Sequence, residues 1–313
     1  MDYHRKCKEA NIFVKYLCKY LTDMYELLDL AVKHSQLSTC FTMQTTVIKP
    51  KKTLTIDTKE LWRYRELFYY FGLRDIMVRY KQTALGIAWA VLQPLIMMAI
   101  LNVFFSKVIH VDTGGIPYPI FSFIGLLFWF YFANSLGSAA NSLIADQSII
   151  KKVYFPKIIL PLASTFVHLI DFGCAFLILL CLMLYYHIVP APLGIVLLIP
   201  CLLITFLTFS GFGLILAAIN VKYRDVRYAI PFAIQLLFFI TPIMYPLTFL
   251  GSNSSVWYLN PIGSSIETMR IALTGAGDIQ WLSLGIAGAI SSIVFLCGLF
   301  IFNRTEKYFA DIL

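Results

Sequence analysis

Charge is what this chain has least of. Only 13% of its 313 residues are Asp, Glu, Lys or Arg, whereas 59% are hydrophobic and the mean hydropathy is +0.76. Soluble domains carry about a quarter charged residues, so an ordinary soluble fold is excluded. Catalytic signatures are missing too. The chain has no G-x-x-x-x-G-K-[ST] loop to cradle a nucleotide phosphate, no H-E-x-x-H, no G-x-S-x-G and no carboxylate pair placed for acid–base work. Its 7 cysteines form no C-x-x-C pair and no metal-ligand spacing, and read as small hydrophobes in a reducing compartment. No enzyme, metal site or bound cofactor is therefore expected, and energy for any work must come from a partner or an ion gradient. Internal repeats and low-complexity tracts are also lacking. Glycine and proline are absent from residues 1–49.

Long apolar runs are what the chain has instead. About 20 apolar residues cross a bilayer core of about 30 Å, and runs of that kind lie near residues 85–108, 119–143, 158–184, 193–219 and 282–302. A sixth, near 229–245, is short and interrupted by Pro242. Of the 25 Lys and Arg, all but Lys107 and Arg270 then fall on one side of the membrane. That is the positive-inside bias of a polytopic protein. The net charge of +8 is thus topological, and no nucleic-acid-binding motif accompanies it. The expected fold is an all-α integral membrane protein with six transmembrane helices in the cytoplasmic (inner) membrane, multi-pass, with both termini cytosolic.

Three segments are expected. Residues 1–45 form an N-terminal cytosolic extension, with apolar residues at helical spacing from Phe13 to Leu28. It reads either as a cytosolic or membrane-surface helix or, with Met43 as the natural start, as a part that is not native. Lys15 and Lys19 argue against a signal peptide. Residues 46–84 hold a basic connector broken by Pro50 and then an amphipathic helix over 59–71. On that helix Leu61, Trp62, Tyr64, Phe68 and Phe71 share one half and Lys59, Glu60, Arg63, Glu66 and Arg74 the other, with Arg65 on the apolar side. Such a division fits a helix lying in the membrane interface or one packed on a soluble partner. Residues 85–313 form the six-span domain.

Several features within that domain carry alternatives. Arg74, Arg79 and Lys81 place a cationic cluster just ahead of the first span. The cytoplasmic loop after the second span combines Ile149, Ile150, Tyr154 and Phe155 with Lys151, Lys152 and Pro156. It suits a docking surface or packing against the protein's own helix ends. His168 and Asp171 share a face of the third span, as an interhelical hydrogen bond or as a proton relay. Aromatic residues make up 16% of the chain. Trp89, Phe128, Trp129, Tyr131, Phe132, Phe238 and Phe239 serve as packing and anchors on one reading. On the other they line a channel whose ring faces let sugars slide. Residues 246–281 are too short to span twice and too apolar for a plain loop, which suggests paired re-entrant or interfacial outside helices between spans five and six.

Four stretches share wording with a known family. They are RDIMVRYKQTALGIAWAVLQPL at the first span, K-x-x-F-P-x-x-x-L-P in the loop from Lys152 to Pro161, N-x-x-x-R-D-V from Asn220, and WYLNPIGSSIETMRIAL before the last span. NRTEKYFADIL is similar to the family's ending. Together they resemble the membrane subunit of ABC-2 type polysaccharide exporters over about residues 46–313, which move O-antigen, capsule or teichoic acid chains outward. The resemblance implies a homodimer enclosing a channel, paired with two copies of a separate P-loop ABC ATPase that holds the ATP and Mg. It implies a lipid-linked polysaccharide as substrate, its pyrophosphate met by Arg74, Arg79 and Lys81. ATPase coupling would pass through Ile149, Ile150, Lys151, Lys152, Phe155 and Pro156, and Tyr258, Asn260 and Pro261 would belong to an outside gate. The rival readings are a proton-coupled secondary transporter centred on His168 and Asp171 and a membrane-embedded sugar or acyl transferase.

Overall fold

The computed structural model describes residues 62–81, 87–109, 113–223, 225–246 and 258–312. The chain divides into two units, residues 1–52 and 53–313, and all described residues belong to the second. The expected extension over 1–45, the connector and the first turn of the amphipathic helix lie outside the described residues. Everything regular among the described residues is helical.

Helix α1, Arg65–Lys81, runs ten residues past the end expected for it at Phe71. Gly72 is a poor helix former, but it sits against Phe166, where an added Cβ would stand 3.7 Å from the Phe166 Cβ. Tertiary contact therefore carries the helix through the glycine, and Arg74, Arg79 and Lys81 become its last turns. Of the residues expected on its apolar side, Phe71 is buried and Tyr64 and Phe68 are half-buried, while Trp62 is exposed.

Helix α2, Ile87–Leu101, contains a buried Pro94 and passes into π-helical turns over Asn102–Val108. Helix α3, Tyr118–Ala145, is 28 residues long, opens with Pro119 in its first turn and is buried over most of its length. A single turn, α4 (Gln147–Ile150), leads through the loop to α5 (Ile159–Ala163) and α6 (Phe166–Tyr185). Helix α7, Pro192–Lys222, is the longest apolar rod at 31 residues. It packs on α3 and on two later helices, α9 (Pro261–Thr274) and α10 (Trp281–Ile312). Helix α8 lies between α7 and α9 and covers Val226–Ile240.

Among the described residues, five stretches are long and apolar enough to cross a membrane: Ala88–Ser106, Tyr118–Ala145, Ile159–Tyr185, Pro192–Lys222 and Trp281–Glu306. Each falls on an expected span. Helix α8 has 15 residues, about 22 Å of rise, which is short of the bilayer core. It stops because Thr241 precedes Pro242, and a residue before proline is driven out of the helical region. Thr241 is extended accordingly, with ψ 135°.

Helix α9 is capped by Asn260, whose side-chain oxygen accepts from the backbone N–H of Ile262 and Gly263 at 3.1 and 3.2 Å. It ends at Gly275, whose φ of 71° closes the helix in the left-handed region. At 14 residues it is too short to span, and it is buried on nearly every side. Helix α9 covers the second of the two apolar stretches expected to form outside helices. The first lies mostly outside the described residues. Helix α10 continues through the expected cytosolic tail, because Phe302 and Phe309 meet edge to face at 5.3 Å and Glu306 accepts from the backbone N–H of Lys157 at 2.8 Å.

Candidate transport site

The last turns of α1 are fastened to two spans. Arg74 makes a bidentate pair with Asp146 at 2.8 and 2.9 Å, bonds Asp75 at 2.9 Å, and lies 5.0 Å over the Phe71 ring. Asp146 is the residue from which the single turn α4 starts, so this pair ties α1 to the loop that follows α3. The Asp146 bonds raise the Arg74 pKa above its ordinary value, even though partial burial opposes them. One turn later, Arg79 Nη2 meets Asp171 Oδ2 at 2.9 Å and Arg79 Nη1 lies 3.1 Å from His168 Nδ1. The Tyr80 hydroxyl donates to Asp171, and Ser138 Oγ stands 2.7 Å from His168 Nε2. His168 and Asp171 thus take part in interhelical bonds joining α1, α3 and α6. Lys81 is exposed at the helix end. Of the expected cationic cluster, Arg74 and Arg79 are paired with the carboxylates of Asp146 and Asp171.

The loop over 149–156 turns its apolar residues inward. Phe155 is 3% exposed and packs on Phe71 with ring centroids 5.7 Å apart. Ile150 and Pro156 are buried and Ile149 is half-buried. They close an apolar cluster with Leu143, Ile159, Leu214, Val221 and Phe302. The faces shown outward are Lys151, Lys152, Val153 at 56% and Tyr154 at 51% exposure. Phe155 and Ile150, expected as exposed anchors, are core residues here, and the sequence reading missed Val153. The i, i+2 spacing of Val153 and Phe155 offered no clue, since both are apolar.

The aromatic residues split into two groups. Phe128, Trp129, Tyr131 and Phe132 are buried among one another and their neighbours: Phe128 on Phe172 at 5.3 Å, Tyr131 on Phe209 at 5.1 Å, Trp129 on Phe132 and Phe238 at 5.5 Å each. Packing within the chain accounts for these five, Phe238 included. Trp89 and Phe239 are exposed. Beside α8, a groove of about 640 Å³ is lined by Phe132, Leu136, Phe212, Ile230, Leu237 and Pro261, among others.

On the far side, Asn260 and Pro261 serve the start of α9, and Asn260 also donates to the Thr241 hydroxyl at 3.2 Å. Tyr258 is half-buried in a short turn before them. The residue that organises this region was not singled out by its sequence. Arg270 is fully buried, donates to the carbonyls of Phe121, Pro242 and Ile243 at 3.1, 2.9 and 2.7 Å, pairs with Glu267 at 3.3 Å, and lies 3.5 Å from the Phe121 ring centroid. The available signal was a lone cation in the apolar stretch IETMRIAL with an acid three residues before it.

The sequence profile of ABC-2 type transporters matches residues 66–274, from α1 to the end of α9. The chain belongs to the ABC-2 type transporter family. Among curated relatives, the O-antigen export system permease protein RfbA of Myxococcus xanthus is 33% identical over 257 residues, 81% of this chain and 97% of the relative. The protein of the same name from Klebsiella pneumoniae is 32% identical over 77% of this chain and 92% of its own length. The polysialic acid transport protein KpsM of Escherichia coli is 23% identical over 75% and 92%. As an ABC-2 type membrane component, this chain is a transport permease and not an enzyme. The ATPase is a separate subunit.

Proposed function

We propose that this chain is the membrane-spanning subunit of an ATP-driven exporter that moves a lipid-linked polysaccharide of O-antigen, capsule or teichoic acid type across the cytoplasmic membrane. The observation carrying this reading is the near-complete coverage of the O-antigen permeases, 92–97% of their own length. Two copies of the chain enclose the channel and work with two copies of a P-loop ABC ATPase. That partner holds the ATP and Mg, since this sequence has no phosphate-cradling loop. Helix α8 with residues 241–246 makes the fifth of six spans in chain order, α9 is a re-entrant helix, and both termini are cytosolic.

Within this scheme Arg74, Arg79 and Lys81 meet the lipid pyrophosphate by charge-assisted bonds, and the paired carboxylates Asp146 and Asp171 are what that anion displaces. The exposed rings of Trp89 and Phe239 face the sugar chain, while Phe128, Trp129, Tyr131, Phe132 and Phe238 hold the wall behind them. Lys151, Lys152, Val153 and Tyr154 contact the ATPase, backed by Ile149, Ile150, Phe155 and Pro156. Tyr258, Asn260 and Pro261 sit at the outside gate. The deciding experiment is deletion of the gene followed by complementation. Surface polysaccharide should vanish, with lipid-linked polymer retained inside, and should return with the full chain. Retained surface polymer in the deletion strain would sink the reading.

A further inference from the structure

Arg79, His168 and Asp171 meet so closely that the number of protons among them is constrained. Arg79 Nη1 lies 3.1 Å from His168 Nδ1 and Arg79 Nη2 2.9 Å from Asp171 Oδ2, while Nδ1 is 3.3 Å from the same Oδ2. A guanidinium only donates. As a hydrogen bond, the Arg79 contact requires an Nδ1 that accepts and carries no proton. Such a ring is neutral, with its proton on Nε2 and donated to Ser138 Oγ at 2.7 Å. The contact of Nδ1 with Oδ2 is then acceptor against acceptor, bridged by the fork of Arg79.

A second proton on the ring reverses these relations. Nδ1–H would donate to Asp171 Oδ2, the oxygen Arg79 now holds, and the imidazolium would face the guanidinium as a like charge. The His168 side chain is only 4% exposed, so solvent screens that repulsion poorly. We propose that His168 is a positioning residue for Arg79: as the Nε2–H tautomer it holds the guanidinium against Asp171, and a second proton on the ring expels it. The other groups around the ring do not substitute for this exchange. From α1, Tyr80 is committed to Asp171 and Asp75 to Arg74. From α6, Cys174 stands near Tyr80 and Asp171. Asn134 and Tyr131 of α3 and Gln93 of α2 line the same small cavity. That cavity, about 20 Å³, has room for a water molecule and gives a proton a way in. The consequence for transport rests on the export reading, in which Arg79 stands at the substrate intake.

The test uses the full chain purified in detergent and labelled with ¹⁵N-histidine and ¹⁵N-arginine. The His168 signal is assigned by its loss in His168→Asn, and the Arg79 signal by its loss in Arg79→Lys. Near neutral pH the ring is expected to carry its proton on Nε2, and the Arg79 guanidinium to exchange slowly. On acidification the slow Arg79 signal should be lost in step with the second protonation of the ring. In His168→Asn, whose amide oxygen can accept from Arg79 without titrating, the slow signal should persist at the same acid pH. A neutral-pH proton on Nδ1 overturns the proposal. So does ring protonation that leaves Arg79 unchanged, or an acid-driven loss that persists in His168→Asn. Polymer export is measured separately. If the chain exports nothing at any pH the export reading fails, while the two nitrogen signals still decide the role of His168.

Discussion

Arg270 is a buried cation, and its cost is met largely by carbonyls at the break where α8 ends. Where α8 stops, Pro242 and Ile243 have oxygens with no helical partner, and the guanidinium reaches both as well as Phe121. Gly125 leaves the room, since a Cβ there would stand 2.9 Å from Arg270 Nη2. Arg270→Met should strand the Pro242 and Ile243 carbonyls, each at about 1–3 kcal/mol. Arg270→Lys should rescue only part, because an ammonium lacks the planar fork. Thermal unfolding of the purified chain checks this, and an unchanged Tm for the Met variant would refute it. Tyr80 carries a pH dependence of its own. Burial, then the bond to Asp171, raises its pKa above the ordinary 10.0. Its contribution to stability is therefore complete below pH 10.0 and is lost only as pH rises through the raised value. The α1–α6 contact should weaken in strong base in the native chain and show no such loss in Tyr80→Phe, as read by hydrogen exchange of α1.

At the scale of elements, α7 is the hub because glycines let other helices touch its backbone. A Cβ on Gly211 would stand 2.7 Å from the carbonyl oxygen and carbon of Val294, and one on Gly298 would strike the Gly211 carbonyl. Close small-residue crossings are how membrane helices gain packing energy. Gly211→Ala must push α10 away, at about 1–3 kcal/mol. Gly137→Ala meets nothing within 4 Å and should be neutral or gain up to about 1 kcal/mol in helix propensity. Comparing detergent unfolding midpoints for the two variants decides it; equal effects would contradict the crossing. The loop between α4 and α5 divides its work in the same way. Phe155→Ala opens a cavity against Phe71 and should cost about 3–5 kcal/mol of fold stability. Tyr154→Ala should leave the fold intact and weaken ATPase recovery on co-purification, by on the order of 1–3 kcal/mol if Tyr154 is a central contact. Normal recovery with Tyr154→Ala would remove that residue from the docking surface.

For the whole molecule, the arrangement of spans fixes which loops face which compartment. An impermeant thiol reagent applied to intact cells should reach a cysteine placed at Ser254, and should not reach one at Ser148 or Thr305. Labelling of Ser148 from outside would invert the coupling loop and separate it from any cytosolic ATPase. The Arg74–Asp146 pair joins α1 to the start of the loop proposed for coupling across 72 positions of sequence, and Phe71 on Phe155 repeats the link one turn earlier.

Hydropathy and charge placement alone determined five of the helices and the all-helical class, because a span is a local property: enough consecutive apolar residues and cations gathered at the ends on one side. The break at Pro242 is local too, and was readable. Which side chains face inward was not. In an apolar helix the lipid-facing and core-facing sides are both apolar, so periodicity that marks the buried face in a soluble helix marks nothing here. Phe155 and Tyr154 look alike in sequence, yet only Phe155 meets Phe71. Arg79 gave no sign of pairing with Asp171, 92 positions further along the chain, nor Arg270 of its three carbonyls. Those partners are chosen by the crossing of helices, and the crossing is set by packing between residues far apart in the chain.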